Sequence, residues 1–319
     1  PNRRGFDYWF GYLNQGRAHN YYPDYLWENE QQYWLDGNMD GRKEQYSHTL
    51  MTEKGLDFIR ENRDDPFFLY MAYTLPHANN ELGRETGDGM EVPSHGAYAA
   101  RDWPSPQKGH AAMISLLDRD CGRILDLLAE LDLDDDTLVI FTSDNGPHKE
   151  GGADPAFFSS WGPLRGYKRD LYDGGIREPM IARWPGRIQP GAESDLPWAF
   201  WDFMPTAGEL AGFDSPEGID GHSIAPAFFG GQAPEHEFMY WEFQQRELKQ
   251  AVRRGNMKAV RLGMTRSTEV YDLEQDIGEK RDLAADQGEF VKWAEDVFAN
   301  HRTDAPDFPV KDPGYTPAE

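Results

Sequence analysis

Apolar, strand-like segments alternate with amphipathic helical segments along the first two thirds of the chain. Apolar residues fall on one helical face in Tyr46–Glu61 and again in Gln107–Leu131. Continuous apolar runs of strand length occupy Phe67–Tyr73, Thr137–Phe141 and Pro179–Trp184. Such strands are typical of a sheet that is covered on both faces, and the helix–strand order favours parallel pairing. The sequence therefore predicts an α/β fold, with a mostly parallel sheet sandwiched by helices.

The pattern changes near residue 220. The segments "FMYWEFQQ", "KQAVRRGNMKAVRL" and "TEVYDLEQD" are short alternating runs broken by Gly and Asn, which is typical of an antiparallel sheet. An amphipathic segment follows at Glu289–Asn300. We therefore expect two domains: a larger α/β domain over residues 1–219, and a smaller C-terminal α+β subdomain over residues 220–319 with a terminal helix.

Polar residues follow two of the apolar strands, at the point where each strand ends. His77 lies just past Phe67–Tyr73, and Asp144 and Asn145 come directly after Thr137–Phe141. Ligands of open parallel sheets collect beyond the carboxyl ends of the strands. Carboxylate and amide oxygens suit a hard cation. An Asp-Asn-Gly sequence is also typical of a turn or a helix cap, and a lone His after Pro is typical of a surface or packing position.

A cluster of cations follows in the glycine-rich segment Gly162–Pro179. It contains Arg165, Lys168, Arg169 and Arg177. The chain as a whole carries 32 basic and 56 acidic residues, for a net charge of −24, so an anionic substrate has to be met by local cations such as these. The alternative interpretation is an ordinary solvated surface.

Composition excludes several classes of protein. The strong net negative charge argues against nucleic acid as a partner. No apolar run has the length of a membrane span, and Pro1 opens into "GFDYWFGYLNQG" without a signal-peptide pattern, so we expect the chain to begin within a domain. A single cysteine, Cys121, allows no internal disulfide, and there is no CxxC, HExxH or Walker motif.

Several longer segments occur together in a particular order. They are "GFDYWFGY", "PFFLY…PH", "TLVIFTSDNG", "LRGYKRDLYDGGIREPMIARWPG" and "YDLEQDIGEKRDLA". This arrangement resembles the type I sulfatases, the arylsulfatase-like branch of the alkaline phosphatase superfamily. The resemblance extends over nearly the whole chain, and it implies an alkaline-phosphatase-like fold and hydrolysis of sulfate esters.

The resemblance assigns roles to five of the residues named above. Asp144 and Asn145 match the second pair of calcium ligands of the family. His77 matches the histidine that contacts the sulfate ester and assists departure of the leaving alkoxide, and Lys168 matches the lysine that holds a sulfate oxygen. Arg177 matches an arginine with a mainly structural role. Calcium is thereby implied as a cofactor.

The nucleophile of the family is a formylglycine, made from the Cys or Ser of a C/S-x-P/A-x-R motif. Cys121 lies in "DRDCGRI" and does not match, and no serine of the chain fits the motif. In the family the nucleophile and the first two aspartate ligands precede the "GFDYWFG" region. We therefore expect the formylglycine to lie in an N-terminal part that this sequence lacks, and the 319 residues alone to be inactive.

Substrate choice is expected to depend on two irregular segments, Glu81–Arg101 and Pro147–Arg165. They carry His95, His148 and Arg165, side chains of the kind that bind sugar hydroxyls or further sulfates. The expected substrate is a sulfated carbohydrate or an aryl sulfate. The resemblance to bacterial enzymes acting on sulfated polysaccharides suggests a periplasmic or secreted protein, and it leaves the sugar, the sulfate position and the oligomeric state open.

Two other functions remain open at this stage. A phosphodiesterase or phosphonate hydrolase of the same superfamily would keep the fold, but those enzymes usually carry Asp-His where this chain has Asp144 and Asn145. A non-catalytic sugar-binding pseudoenzyme would lack the nucleophile altogether. Asn145 favours the sulfatase.

Overall fold

The computed structural model describes residues 1–315, and their contacts divide the chain into two compact units. Unit 1 consists of Pro1–Thr137 and His148–Phe158. Unit 2 consists of Leu138–Pro147 and the chain from Ser159 onward.

Unit 1 contains a small antiparallel sheet and four α-helices. The sheet has the order β1-β2-β3, with β1 at Phe10–Gly11, β2 at Tyr25–Glu28 and β3 at Gln31–Trp34. The helices are α1 at Gln15–Ala18, α2 at Ser47–Glu61, α3 at Asn80–Thr86 and α4 at Ser105–Glu130. Short 3-10 helices occupy Asn2–Arg4, Asp36–Gly41, Gly96–Tyr98 and Asp134–Asp136.

The core of unit 1 packs on α4. Met113 of this helix is fully buried in a cluster with three tyrosines and with Leu75 and Met90. The tyrosines are Tyr21, Tyr22 and Tyr46. Gly109 lets α4 approach the chain at Met90, because a Cβ at residue 109 would lie 2.4 Å from the Met90 carbonyl oxygen.

A buried hydrogen bond between a histidine and an aspartate joins α2 to α4. His48 Nε2 lies 3.0 Å from Asp120 Oδ2, and neither side chain is exposed. Burial lowers the pKa of His48 to about 4, and this outweighs the nearby Asp120 carboxylate. Burial alone would raise the pKa of Asp120, but hydrogen bonds from Arg119 hold it below its usual value. The pair is therefore a neutral imidazole that donates to a carboxylate.

As far as residue 315, unit 2 contains two sheets and four α-helices. A two-stranded sheet joins β4 at Val139–Thr142 to β5 at Met180–Arg183. A four-stranded antiparallel sheet follows, with β6 at Met239–Gln244, β7 at Leu248–Arg254, β8 at Met257–Arg261 and β9 at Glu269–Asp272. The helices are α5 at Asp173–Ile176, α6 at Phe203–Ala211, α7 at Ala225–Phe228 and α8 at Gly288–Asn300, and a 3-10 helix at Phe200–Asp202 precedes α6.

The four-stranded sheet is covered on both faces. On one face Val252, Ala259 and Val270 pack against α8. On the other face Ala251, Val260 and Tyr271 pack against the segment that leads into α5, through Leu171 and Tyr172. Because successive side chains of a strand point to opposite faces, the central strands β7 and β8 are buried almost throughout.

The mixed α/β class and the antiparallel C-terminal subdomain are confirmed, and the long helices begin and end within two residues of the predicted positions. Strand pairing differs from the predicted parallel pairing, because every strand pair among residues 1–315 is antiparallel. For β4 and β5 the reason is a backbone contact. The Gly146 N–H donates to the Gly175 carbonyl, so β5 begins beside the end of β4 and has to run back along it.

Two other segments differ from expectation. Residues 1–42 are rich in Tyr, Trp, Asn and Gly and show little periodicity, which predicts surface loops, but they contain the sheet β1-β2-β3. Phe67–Tyr73, predicted as a strand, is not one, because no strand of the described part of the chain forms a ladder with it. Alternate residues of this segment are exposed, with Phe68 at 58% and Tyr70 at 68%.

The domain boundary expected at residue 219/220 stays a prediction. The compact units divide the chain elsewhere, and residues 316–319 of the predicted subdomain lie outside the described residues. None of the helices within residues 1–315 combines the length and the apolar character needed to cross a membrane.

We predict that the stability of the protein rises with pH between about 4 and 6.5 because of His48. Its folded-state pKa of about 4 lies below the value of an exposed histidine, so the unfolded state binds more protons in this window. The contribution of His48 to the free energy of unfolding is fully present above the pKa that this histidine has in the unfolded state. It is lost as pH falls toward the pKa of the folded state, and it amounts to as much as about 3 kcal/mol. Calorimetric melting of the wild type and of His48→Gln checks this. The melting temperature of the variant should change less with pH than that of the wild type. An equal change in both proteins would contradict the low pKa of His48.

Candidate functional site

The turn that follows β4 presents two oxygen-bearing side chains. Asp144 is exposed and Asn145 is half-buried. Asn145 donates its side-chain NH₂ to the Gly146 carbonyl at 2.9 Å, and Ser143 Oγ donates to the Asn145 carbonyl at 3.1 Å. Because its amide nitrogen is engaged within the turn, Asn145 keeps its side-chain oxygen for another partner.

Glycine backbones fix this turn in place. A Cβ on Gly146 would lie 1.9 Å from the Gly174 carbonyl oxygen, which is far inside van der Waals contact. Gly174 is held in turn by its N–H, which donates to the Arg165 carbonyl at 2.6 Å. Only residues without a Cβ permit this stack of main chains, so the position of the turn is set by the backbone of α5.

Lys168 lies next to the same turn. Its backbone N–H donates to the Pro147 carbonyl at 2.8 Å, two residues after Asn145. The structure therefore places the backbone of Lys168 beside the turn that carries Asp144 and Asn145, so three of the candidate residues of unit 2 are neighbours in the fold.

The guanidinium of Arg165 packs against other side chains of unit 2. Its guanidinium lies 3.7 Å from the centre of the Tyr172 ring. Nη1 donates to the Tyr271 hydroxyl at 3.0 Å and to the Glu279 carbonyl at 2.7 Å. These contacts tie Arg165 to the C-terminal sheet and argue for a structural role in place of the predicted contact with substrate.

A buried charge network supports α5. The ammonium of Lys258, on β8, is fully buried and lies 2.6 Å from Asp173 Oδ1 and 2.9 Å from Glu279 Oε1. The Asp173 N–H donates to Glu279 Oε2 at 2.6 Å. Burial raises the pKa of Glu279, while the Lys258 ammonium opposes that change. No motif of the sequence marks these residues as a network, although a lysine inside the apolar run "NMKAVRL" is a detectable signal.

The residues around the turn fit a hard cation. Glu178 follows α5, and its Oε1 is buried without a hydrogen bond to any described residue. Burial raises the pKa of Glu178 to about 8, and the charges of Asp144 and Asp173 add to the rise. A cation at Asp144 would relieve this concentration of acidic groups. In residues 1–315 no group of three or more His, Cys, Asp or Glu side chains is arranged to hold a metal, so Asp144 and Asn145 would supply part of a ligand set.

Unit 1 contains the candidate histidines. His77 is partly exposed, with 26% of its side chain accessible, and its Nε2 lies 3.3 Å from Glu150 Oε2. Its Nδ1 lies 2.8 Å from the Ala78 carbonyl oxygen. Glu150 itself was not identified from the sequence, because nothing in "HKEGG" distinguishes it from an ordinary loop carboxylate.

His148 is buried, with 6% exposure. Its Nε2 lies 3.0 Å from the Pro76 carbonyl oxygen, and its Nδ1 accepts a hydrogen bond from the Glu150 N–H at 3.1 Å. Both ring nitrogens thus engage the backbone, which favours a positioning role over the predicted contact with substrate. His95 is half-buried ahead of the short helix Gly96–Tyr98, and its predicted role in substrate binding stays a prediction.

Comparison with known families gives a consistent result. The Sulfatase family model matches residues 1–213, and the model described as N-sulphoglucosamine sulphohydrolase, C-terminal, matches residues 166–296. The dog N-acetylgalactosamine-6-sulfatase is 32% identical over 260 residues, which is 76% of this chain and 45% of that protein. The rat steryl-sulfatase is 37% identical over 196 residues, covering 60% of this chain and 31% of that protein. The chain thus spans less than half the length of these relatives.

Solved structures show the same fold. The crystal structure of Ps i-CgsB superposes with a TM-score of 0.81 at 24% identity, covering 98% of this chain and 70% of that one. A complex of the same protein with k-i-k-neocarrahexaose gives a TM-score of 0.79 at 25% identity, covering 94% and 67% of the two chains. A third structure, solved with its substrate D-glucosamine-2-N,6-O-disulfate, gives 0.69 at 19% identity, covering 95% and 78%. The fold is alkaline-phosphatase-like, and with a family model that matches two thirds of its length this chain belongs to the sulfatases.

Proposed function

We propose that the complete protein containing this chain hydrolyses sulfate esters of carbohydrates, with aryl sulfates as simpler substrates. The reaction converts RO–SO₃⁻ and water into ROH and hydrogen sulfate. The observation that carries the proposal is the turn after β4, where backbone contacts hold Asp144 and Asn145 beside Lys168 in a chain of the sulfatase family.

Each residue of the turn has a chemical task in this proposal. The Asp144 carboxylate and the Asn145 side-chain oxygen would hold calcium, together with ligands from outside the described residues. Calcium, when bound, supplies positive charge to the oxygens of the sulfate group. The Lys168 ammonium adds a second cation where negative charge develops in the transition state.

His77 would deliver a proton to the leaving oxygen. A sugar alkoxide is a poor leaving group, so its departure depends on proton transfer, whereas an aryl oxide leaves more readily. The side chain of His77 is accessible enough for contact with a substrate, and its ring nitrogens are held in defined positions.

The choice of a sulfated carbohydrate is supported by the relatives. The dog relative is named for a sulfated N-acetylgalactosamine. Two of the similar structures are named as complexes with sugars, k-i-k-neocarrahexaose in one and D-glucosamine-2-N,6-O-disulfate in the other. Asn145 stands where phosphodiesterases and phosphonate hydrolases of the superfamily usually carry histidine, which favours sulfate over phosphate. Formylglycine as nucleophile, and export to the periplasm or the medium, stay predictions from the resemblance.

We expect Asp144→Ala to lower kcat/KM of the complete protein for 4-nitrophenyl sulfate and to weaken calcium binding. Outer-shell partners of metal ligands already contribute about 10- to 100-fold to metal affinity, so a direct ligand should cost at least about 100-fold. Calcium titration by calorimetry and the sulfatase assay measure both effects. Asp126→Ala, at an exposed position of α4, is the matched control. Unchanged calcium binding in Asp144→Ala would refute the metal assignment, and preferential hydrolysis of a phosphodiester would favour the other enzyme class.

The contact of Gly146 with α5 gives a second test. Gly146→Ala places a methyl group 1.9 Å from the Gly174 carbonyl, so the turn has to move. We expect calcium affinity to fall by about 10- to 100-fold, as for other residues that orient metal ligands. Gly122→Ala is the control, because a Cβ there meets nothing within 4 Å. Equal calcium affinity in both variants would show that the turn does not depend on this contact.

The 319 residues expressed alone are expected to show no sulfatase turnover. They contain no C/S-x-P/A-x-R sequence from which a formylglycine could be made. The release of 4-nitrophenol from its sulfate ester is the measurement, with the complete protein as the positive control. Full turnover by the isolated chain would place the nucleophile within it.

A further inference from the structure

Four histidine rings of unit 1 form a continuous stack, which we call the histidine column. Its members, in spatial order, are His19, His77, His148 and His110. Neighbouring ring centres are 5.1, 5.6 and 5.8 Å apart, and the rings are inclined by 4°, 27° and 19°. Glu81 lies 2.9 Å from the first ring and Glu150 lies 3.3 Å from the second. The column therefore surrounds the proposed proton donor with two other imidazoles and a carboxylate.

The ring beneath His77 is neutral. A carbonyl oxygen only accepts, so His148 Nε2 carries the proton that is donated to the Pro76 carbonyl at 3.0 Å. His148 Nδ1 accepts from the Glu150 N–H at 3.1 Å, and an atom that accepts carries no proton of its own. The next ring, His110, is neutral as well, because burial and then the neighbouring His148 lower its pKa to about 4.

The protonation state of His77 differs from that of His148. Its Nδ1 has to donate, because its partner is the Ala78 carbonyl at 2.8 Å. Its Nε2 faces Glu150 Oε2 at 3.3 Å, and two lone pairs at that distance would repel each other. One proton therefore lies between Nε2 and the carboxylate. The Glu150 side chain is only 14% exposed, and a nearly buried carboxylate favours a cationic neighbour.

We propose that Glu150 is a positioning residue that acts on His77 in two ways. Its carboxylate holds His77 as the imidazolium, with the proton on Nε2. Its backbone N–H holds His148 neutral, so that the ring stacked on this face of His77 adds no second positive charge. The proposal rests on the proposed function, since it explains how His77 is charged before the ester arrives.

The proton then has a defined path. The 3.3 Å contact is long for a charge-assisted hydrogen bond, so an ester oxygen reaching Nε2 can take over the N–H. When the sulfur–oxygen bond breaks, its electron pair stays on the leaving oxygen, and that oxygen takes the Nε2 proton. The water consumed in the overall hydrolysis supplies the proton that restores the imidazolium. Glu150 thus acts through His77 and touches no reacting atom.

The test is a leaving-group comparison in the complete protein. Glu150→Gln keeps the backbone N–H and the shape of the side chain but removes the charge. We expect kcat/KM to fall by about 100-fold for a sugar sulfate, which needs proton transfer, and by less than about 3-fold for 4-nitrophenyl sulfate. Glu130→Gln, which removes an exposed carboxylate of α4 outside the histidine column, should change both substrates by less than about 3-fold.

Two further variants separate positioning from folding. Glu150→Asp keeps the charge, so it should retain more of the activity on the sugar sulfate than Glu150→Gln does. In a His77→Gln background, Glu150→Gln should cause no further loss on that substrate, because the two residues act as one unit. Additive losses would overturn the inference, as would equal losses on both substrates or none. A wild type inactive on every sulfate ester would instead contradict the proposed function.

Discussion

The candidate site depends on a contact between main chains. Gly146 lies against Gly174 and Gly175 so closely that no side chain fits between them. This contact fixes the turn of Asp144 and Asn145 relative to α5, and it sets the direction in which β5 runs beside β4. Metal ligands need positions accurate to a fraction of an ångström, and a backbone stack is stiffer than any contact made through side-chain rotamers.

The C-terminal sheet supports α5 through buried charge. Lys258 reaches from β8 to Asp173 at the start of α5, and Glu279 binds both the ammonium and the Asp173 N–H. A buried ion pair contributes little net stability, because desolvation of the charges offsets their attraction. It does specify geometry, since the pair is costly in any other arrangement. The antiparallel sheet thereby becomes part of the scaffold that positions the candidate site.

Unit 1 uses histidine in two contrasting ways. His48 is fully buried and neutral, with Asp120 as the acceptor of its Nε2–H, and so it links α2 to α4. His77 is partly exposed and shares a proton with Glu150. Both histidines face a carboxylate, so the presence of the pair does not decide the protonation state. Access to solvent and the second ring nitrogen decide it: Nδ1 of His48 has no hydrogen bond to a described residue, whereas Nδ1 of His77 donates to a carbonyl.

The sequence alone determined the fold class, the long helices and the positions of β4 and β5, because hydrophobic periodicity is a local property of the chain. Motif order also points to Asp144, Asn145, Lys168 and His77 as site residues, and their roles stay predictions. Only the tertiary structure assigned Arg165 to the packing of the C-terminal sheet and buried His148 beneath His77. It alone revealed Glu150, because a loop carboxylate acquires a role only from the atoms that folding places beside it. Strand direction was likewise decided by a contact between glycines 29 positions apart in the chain (175 − 146), which no local pattern encodes.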